Sequence, residues 1–428
     1  MLTAIIFVAL VGLVLLGMPI AVAMGLTALV TLVLMGEGSV LPIMAQRMYS
    51  ATTGFTLLAI PFFILAGNLM NTGGITKRVF AFALALVGHL RGGLGHVNIV
   101  SSMIFSGMSG AAVADAAVLG LVEMEAMTKN GYPREFSAAI TAASSTIGPV
   151  VPPSIPFVIY GSITGVSIGK LFIAGFVPGV LMGLAMMAGV YFVSRRQHFP
   201  RSERASLRFL LLTFRKSVLA LFMPVIIIGG ILGGLFTPTE AAVVASLYAL
   251  LVGGVVYREI GFADLPSILW TSIEQSVKVL FIIAAAGFFG WMMVIQSIPE
   301  QVINGLVAFT SSRVTLLLIV IFVLIVLGCF MEGIAVLVIT IPVFMPLIAQ
   351  YGIDPVQFGL IMVLCSMLGL LTPPVGMSLY AVSSISGVPV GRLSRELMPY
   401  LIGIFAVLLV ISFVPEVSLW LPNLLMPD

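Results

Sequence analysis

Two stretches of this chain place glycine, proline and hydroxyl residues inside long apolar runs. One is Ser145-Thr146-Ile147-Gly148-Pro149-Val150-Val151-Pro152-Pro153 and the other Ser366-Met367-Leu368-Gly369-Leu370-Leu371-Thr372-Pro373-Pro374, displaced by a constant 221 positions and sharing Ser, Gly, Pro and Pro. A helix entering from Phe136 must end near Gly148, because Pro149 lacks an N–H and Pro152-Pro153 cannot continue the hydrogen-bond ladder. A second helix can begin at those prolines. Such a break presents carbonyls over Ser145 to Val151, at the negative end of one helix, and N–H groups near Ser154 and Ile155, at the positive end of the next. The carbonyls suit a desolvated alkali cation and the N–H groups a carboxylate. The second break repeats the arrangement with Gly369, Thr372 and Gly376. Prolines can also do no more than kink helices for packing, but a pair matched in register argues against that reading.

The elements that must hold these breaks are membrane helices. Of 428 residues, 60% are hydrophobic and 8% charged, against about 25% charged in soluble proteins, and the mean hydropathy is +1.23. No soluble core absorbs so much apolar sequence, so the chain is an all-α polytopic membrane protein and not a soluble enzyme. With 19 Lys+Arg against 16 Asp+Glu it offers no basic face for nucleic acid. Cys329 and Cys365 lie in apolar runs as small hydrophobes. The first apolar run has no preceding base and continues to Met35, so it reads as a retained membrane segment with a bend at Gly17-Met18-Pro19, and not as a signal peptide.

Further matches at nearly the same displacement pair Gly131, Pro133 and Phe136 with Gly352, Pro355 and Phe358, and Gly165-Val166 with Gly387-Val388. Seven of the 19 basic residues fall in 195–216 with one acid, which places this linker in the cytoplasm by the positive-inside tendency. With the acidic C-terminal tail outside, each half crosses an odd number of times, and the repeats are inverted: 1–194 with a re-entrant helical hairpin at about 136–163, the basic and amphipathic linker 195–216, and 217–428 with a hairpin at about 358–385. Inverted repeats broken at matching places are the mark of a secondary transporter with a midplane site.

Intramembrane acids are functional by default, and Asp115 and Glu332 are the candidates for a polar cavity. Glu123 and Glu125 read as a solvated helix end, Glu240 as an N-terminal cap and Lys278 as a residue that snorkels to an interface, the alternative being that it holds an anion. Gly175, Gly179 and Gly183 form a face for close helix packing. Gly107-Met108-Ser109-Gly110 has the GxSG form of some intramembrane serine proteases, but His89, His96 and His198 lie near loops and supply no base, and they lack metal-ligand spacing. A non-transporting scaffold subunit is a third reading, which predicts neither matched breaks nor a cation requirement.

The run Leu58 to Met70 (LAIPFFILAGNLM), Ser109-Gly110 followed by Ala114-Asp115, Gly148 to Pro156, Phe236 to Ala242 (FTPTEAA) and Thr372 to Gly376 (TPPVG) together resemble the large membrane subunit of tripartite ATP-independent periplasmic (TRAP) transporters. The resemblance implies an elevator-type, Na⁺-driven importer of a small organic acid (a C4-dicarboxylate, sugar acid or sialic acid), multi-pass in the bacterial inner membrane with both termini periplasmic. It implies as partners a separate four-helix membrane subunit and a periplasmic substrate-binding protein. Carried over by motif, Ser106, Ser109, Gly148, Val151 and Pro153 form one Na⁺ site, and Gly328, Gly369, Thr372 and Val375 a second. Ser154, Gly376, Asn68, Asp115 and Glu332 stand on the substrate side. Ala111 departs from the Ser that many relatives carry there, which removes a hydroxyl.

Overall fold

The computed structural model describes residues 2–36, 40–105, 112–197, 199 and 203–427. Described residues of the first half form α1 (Leu2–Leu15), α2 (Ile20–Leu34), α3 (Val40–Thr52), α4 (Ala59–Thr72), α5 (Ile75–Val87), α6 (Gly93–Phe105), α7 (Ala112–Lys129), α8 (Arg134–Ser144), α9 (Ile155–Thr164) and α10 (Ile168–Gln197). Those of the second form α11 (Leu207–Leu232), α12 (Pro238–Leu251), α13 (Leu265–Ile295), α14 (Ile298–Phe309), α15 (Arg313–Phe330), α16 (Gly333–Gln350), α17 (Pro355–Leu370), α18 (Met377–Ser386), α19 (Val390–Phe413) and α20 (Pro415–Leu425). No strand occurs among the described residues. Eight of their helical segments are long and apolar enough to cross a bilayer.

Two pairs of helices keep the displacement seen in the sequence. The bounds of α7 and α16 differ by 221 at both ends, and those of α9 and α18 by 222. The prolines of each Pro-Pro pair, 152–153 and 373–374, are joined by a cis peptide bond. Local signals set the boundaries. Thr237 and Glu240 close a capping box at the start of α12, as expected: the Thr237 N–H donates to Glu240 Oε2 (2.8 Å) and the Glu240 N–H to Thr237 Oγ1 (3.3 Å). Asp354 Oδ1 accepts from the N–H groups of Val356 (2.7 Å) and Gln357 (3.1 Å) at the start of α17. The bend at Gly17 falls between α1 and α2, with Gly17 at φ +86°.

The helices assemble into two layers. In one, α4 packs on α12 and α13, α13 on α2 and α3, and α11 on α5 and α12. In the other, α10 packs on α19, α6 and α20, α8 on α7 and α19, and α17 on α15, α16 and α19. Each half of the chain thus gives its earlier helices to the first layer and most of its later ones to the second. The layers meet where α5 packs on α6 and α13 on α16, and more lightly where α10 touches α11 and α4 touches α9. A hydrogen bond between the hydroxyls of Thr56 and Ser162 (2.7 Å) also crosses this seam.

Two expectations change. The arms flanking the first break both touch α10 but otherwise part: α8 lies on α6, α7, α18 and α19, whereas α9 lies on α4, α16 and α17. They part into different neighbours at the break, so 136–163 has the packing of an interrupted helix and not of a closed hairpin. Glu123 is also not solvated. It is 3% exposed, and Asn98 Nδ2 donates to its Oε2 (2.7 Å) and to Thr141 Oγ1 (2.9 Å), while Ser144 Oγ donates to Asn98 Oδ1 (2.5 Å). This buried network ties α6, α7 and α8 together just before the first break. Glu125 behaves as expected, exposed and paired with Lys129 (2.6 Å). Replacing Asn98 by Leu removes one donor from a buried carboxylate and should cost about 1–3 kcal/mol, read as a lowered midpoint of thermal unfolding in detergent.

Candidate functional site

The first break is a 3₁₀ turn over Ser145–Ile147 capped by Gly148, after which helix resumes at Ile155. Several polar groups freed by the interruption are taken up by protein, as an apolar medium requires. Ser145 Oγ donates to the Ala142 carbonyl (2.9 Å) and Thr146 Oγ1 to that of Ala143 (2.6 Å). The Ile147 carbonyl accepts from the N–H groups of Val150 and Val151, both at 3.0 Å. Ser154, fully buried, caps α9 by accepting from the Phe157 N–H (3.4 Å) and donates to the Pro149 carbonyl. The open set is therefore narrower than the whole stretch from Ser145 to Val151. Among the described residues, the Gly148 and Val151 carbonyls accept no backbone hydrogen bond. Ser106 and Ser109, expected beside them, and the whole of the GxSG motif lie outside the described residues. Of Asp115 the structure describes the helical backbone in α7 and not the side chain.

The glycine face of α10 is what lets a neighbour approach this break. A Cβ on Gly175 would stand 2.3 Å from the Val150 carbonyl oxygen, and one on Gly179 would stand 2.3 Å from a Val151 methyl. Its packing role, expected from the four-residue spacing, is thus to hold the backbone of the break.

At the second break Gly328, Gly369, Thr372 and Val375 converge. A Cβ on Gly369 would lie 2.5 Å from the Gly328 backbone, so α15 and α17 cross with their main chains in contact. The Gly376 N–H donates to the Cys329 carbonyl (2.8 Å), which ties the start of α18 to the end of α15. Thr372 Oγ1 donates to the Leu368 carbonyl (2.7 Å), and its N–H to that of Gly369 (2.9 Å). The N–H of Gly376, expected to be free for an anion, is thus occupied by the Cys329 carbonyl.

A cavity of about 660 Å³ opens at the seam between the layers. Val14, Gly17 to Ala21, Asn68 and Asn71 of α4, and Gln275 and Lys278 of α13 line one wall; Phe105, Ile155, Phe330, Glu332, Val375 and Met377 line the other. Of the residues expected around substrate, Asn68 and Glu332 face this space, whereas Ser154 and Gly376 stand one residue behind lining positions. One Glu332 oxygen is buried without a hydrogen-bond partner. Asn68 Nδ2 donates to Ser272 Oγ (2.9 Å) and Gln275 Oε1 (3.0 Å). Lys278, expected at an interface, reaches the cavity with its ammonium on Glu274 (2.7 Å). Asn71 and Gln275 had not been expected here; their signal was an amide side chain within or beside an apolar helix.

Residues 7–417 match the family described as the tripartite ATP-independent periplasmic transporter, DctM component. The chain belongs to this family. It is 42% identical over 413 residues to the sialic acid TRAP transporter large permease protein SiaM of Vibrio cholerae, covering 96% of each chain. It is 40% identical over 401 residues to the C4-dicarboxylate TRAP transporter large permease protein DctM of Pseudomonas aeruginosa, covering 94% of each. Among solved structures it resembles the Alcanivorax borkumensis YdaH transporter, with a TM-score of 0.62, 16% identity and coverage of 88% of this chain and 87% of that one. That likeness shows a shared fold. The protein is therefore a TRAP transporter large permease subunit in the membrane, and not an enzyme.

In this TRAP permease, Gly328→Ala should drive a methyl group into the Gly369 backbone and lower stability by about 1–3 kcal/mol. Gly391→Ala, with no neighbouring atom within 4 Å, should leave the melting midpoint unchanged in the same assay.

Proposed function

We propose that this permease imports a small organic acid coupled to Na⁺. The observation that carries the reading is the pair of register-matched breaks beside one cavity. Backbone carbonyls at each break can replace the hydration shell of an alkali cation, which makes formal charge unnecessary there. Gly148, Val151 and Pro153, with Ser106 and Ser109, form one cation site; Gly328, Gly369, Thr372 and Val375 form the second. The seam cavity receives the substrate. Its amides, Lys278 and the N-terminal ends of α9 and α18 suit a carboxylate with hydrogen-bonding substituents. The names of the relatives, which include permeases for sialic acid and C4-dicarboxylates and one for 2,3-diketo-L-gulonate from Escherichia coli, support an organic acid.

The layer containing both breaks moves as a unit against the layer of α2–α5 and α11–α13, in an elevator motion. The division of packing into two layers supports this, and the Thr56–Ser162 contact is one that the motion breaks. Coupling follows if Na⁺ at the breaks favours the substrate-binding form, because a ligand shifts an equilibrium only by its differential affinity. The halves lie inverted across a bacterial inner membrane, with the basic linker cytoplasmic and both termini periplasmic. A separate small membrane subunit and a periplasmic substrate-binding protein complete the system.

Uptake into proteoliposomes containing the assembled transporter should require an inward Na⁺ gradient. Thr372→Ala and Ser106→Ala should each raise the Na⁺ concentration for half-maximal uptake several-fold. Uptake without a Na⁺ gradient, or unchanged Na⁺ activation in both variants, would overturn the assignment.

A further inference from the structure

We propose that a second site, away from the seam cavity, binds the phosphate of an anionic phospholipid headgroup between α5 and α11. A cleft of about 280 Å³ is lined there by Lys77, Arg78, Thr213, Lys216, Ser217 and Glu259, among others. Three of these side chains are cationic and one is anionic. Arg78 and Glu259 satisfy one another at 2.6 Å, and the Arg78 guanidinium also stacks on the Tyr257 ring at 3.7 Å. Lys77 and Lys216 are both exposed, and among the described residues neither has an ion-pair partner. The cleft thus keeps two uncompensated ammonium groups, each a compact point charge suited to phosphate.

Its walls are fixed. Ser217 Oγ donates to the Arg78 carbonyl (2.8 Å), and Tyr257 Oη donates to the Lys216 carbonyl (3.0 Å), which holds α5, α11 and the segment after α12 around the opening. Its surroundings are those of a lipid. Leu211 and Phe214, on the same turns of α11 as Thr213 and Lys216, are 66% and 44% exposed, offering an apolar surface for acyl chains beside the cationic cleft. Lys216 closes the stretch 195–216 that holds seven of the 19 basic residues, so the cleft belongs to the basic end of the bundle. Basic pockets between membrane helices on the positively charged side are where anionic headgroups bind. A bound phosphate there bridges α5 to α11 through Lys77 and Lys216.

The full-length chain purified in detergent tests this without any transport assay. Phosphatidylglycerol should raise the thermal midpoint by several degrees over an equal amount of phosphatidylcholine, and inorganic phosphate should not. Lys77→Gln with Lys216→Gln should lose most of that shift while melting like the parent without lipid; Lys77→Arg with Lys216→Arg should restore it. Arg195→Gln with Arg196→Gln, which removes the same charge outside the cleft, should keep it. No shift with phosphatidylglycerol, an undiminished shift in the Lys→Gln pair, or an equal loss in the Arg→Gln pair would overturn the proposal. An equal shift with inorganic phosphate would assign the cleft to a soluble oxyanion and overturn the lipid.

Discussion

The backbone of a membrane helix can be interrupted only where protein, instead of lipid, takes up the freed N–H and C=O groups. That constraint governs this molecule. At the first break the hydroxyls of Ser145, Thr146 and Ser154 and the N–H groups of Val150 and Val151 absorb most of the freed carbonyls. At the second, the Cys329 carbonyl takes the Gly376 N–H, and Thr372 closes on Leu368 and Gly369. Among the described residues of the first break, the Gly148 and Val151 carbonyls remain without a backbone partner.

Close approach is the second requirement, and glycine supplies it differently in the two halves. In the first, a face of α10 lets the break itself sink against a long helix, Gly175 under Val150 and Gly179 under Val151. In the second, Gly328 and Gly369 bring two helices into main-chain contact. The repeat therefore preserves the break and its neighbourhood while the means of packing it have diverged. The seam cavity lies where parts of both breaks, Ile155 on one side and Val375 and Met377 on the other, face the amides of α4 and α13.

Much of this was legible in the sequence because it rests on backbone rules. Proline and glycine spacing located both breaks and the bend at Gly17, and Thr237 with Glu240 announced its capping box. The family resemblance grouped Gly328 with Gly369 before their contact was visible. What escaped the sequence was the direction of chain and side chain in three dimensions. A break says that a helix stops, not whether its arms fold together, and α8 and α9 find different neighbours. Glu123 and Glu125 stand two residues apart on one helix; that offset turns one toward Asn98 and the other toward Lys129 and water. No local pattern distinguishes them, since burial was decided by α6 and α8. Gln275 was missed for the same reason, its partner Asn68 being remote in the chain, and Asn71 because the cavity it faces is built from helices distant in sequence.

The Lys278–Glu274 pair has a bearing on how tightly anything can be held in the seam cavity. The two groups are four residues apart on one helix turn and substantially exposed, at 69% and 55%, so their mutual attraction is worth about 0–1 kcal/mol. An incoming anion would exchange one carboxylate partner of the ammonium for another and not fill an empty electrostatic well. The net gain from that wall would then be small for an anion and absent for a neutral molecule, so the wall would favour charge without holding it tightly.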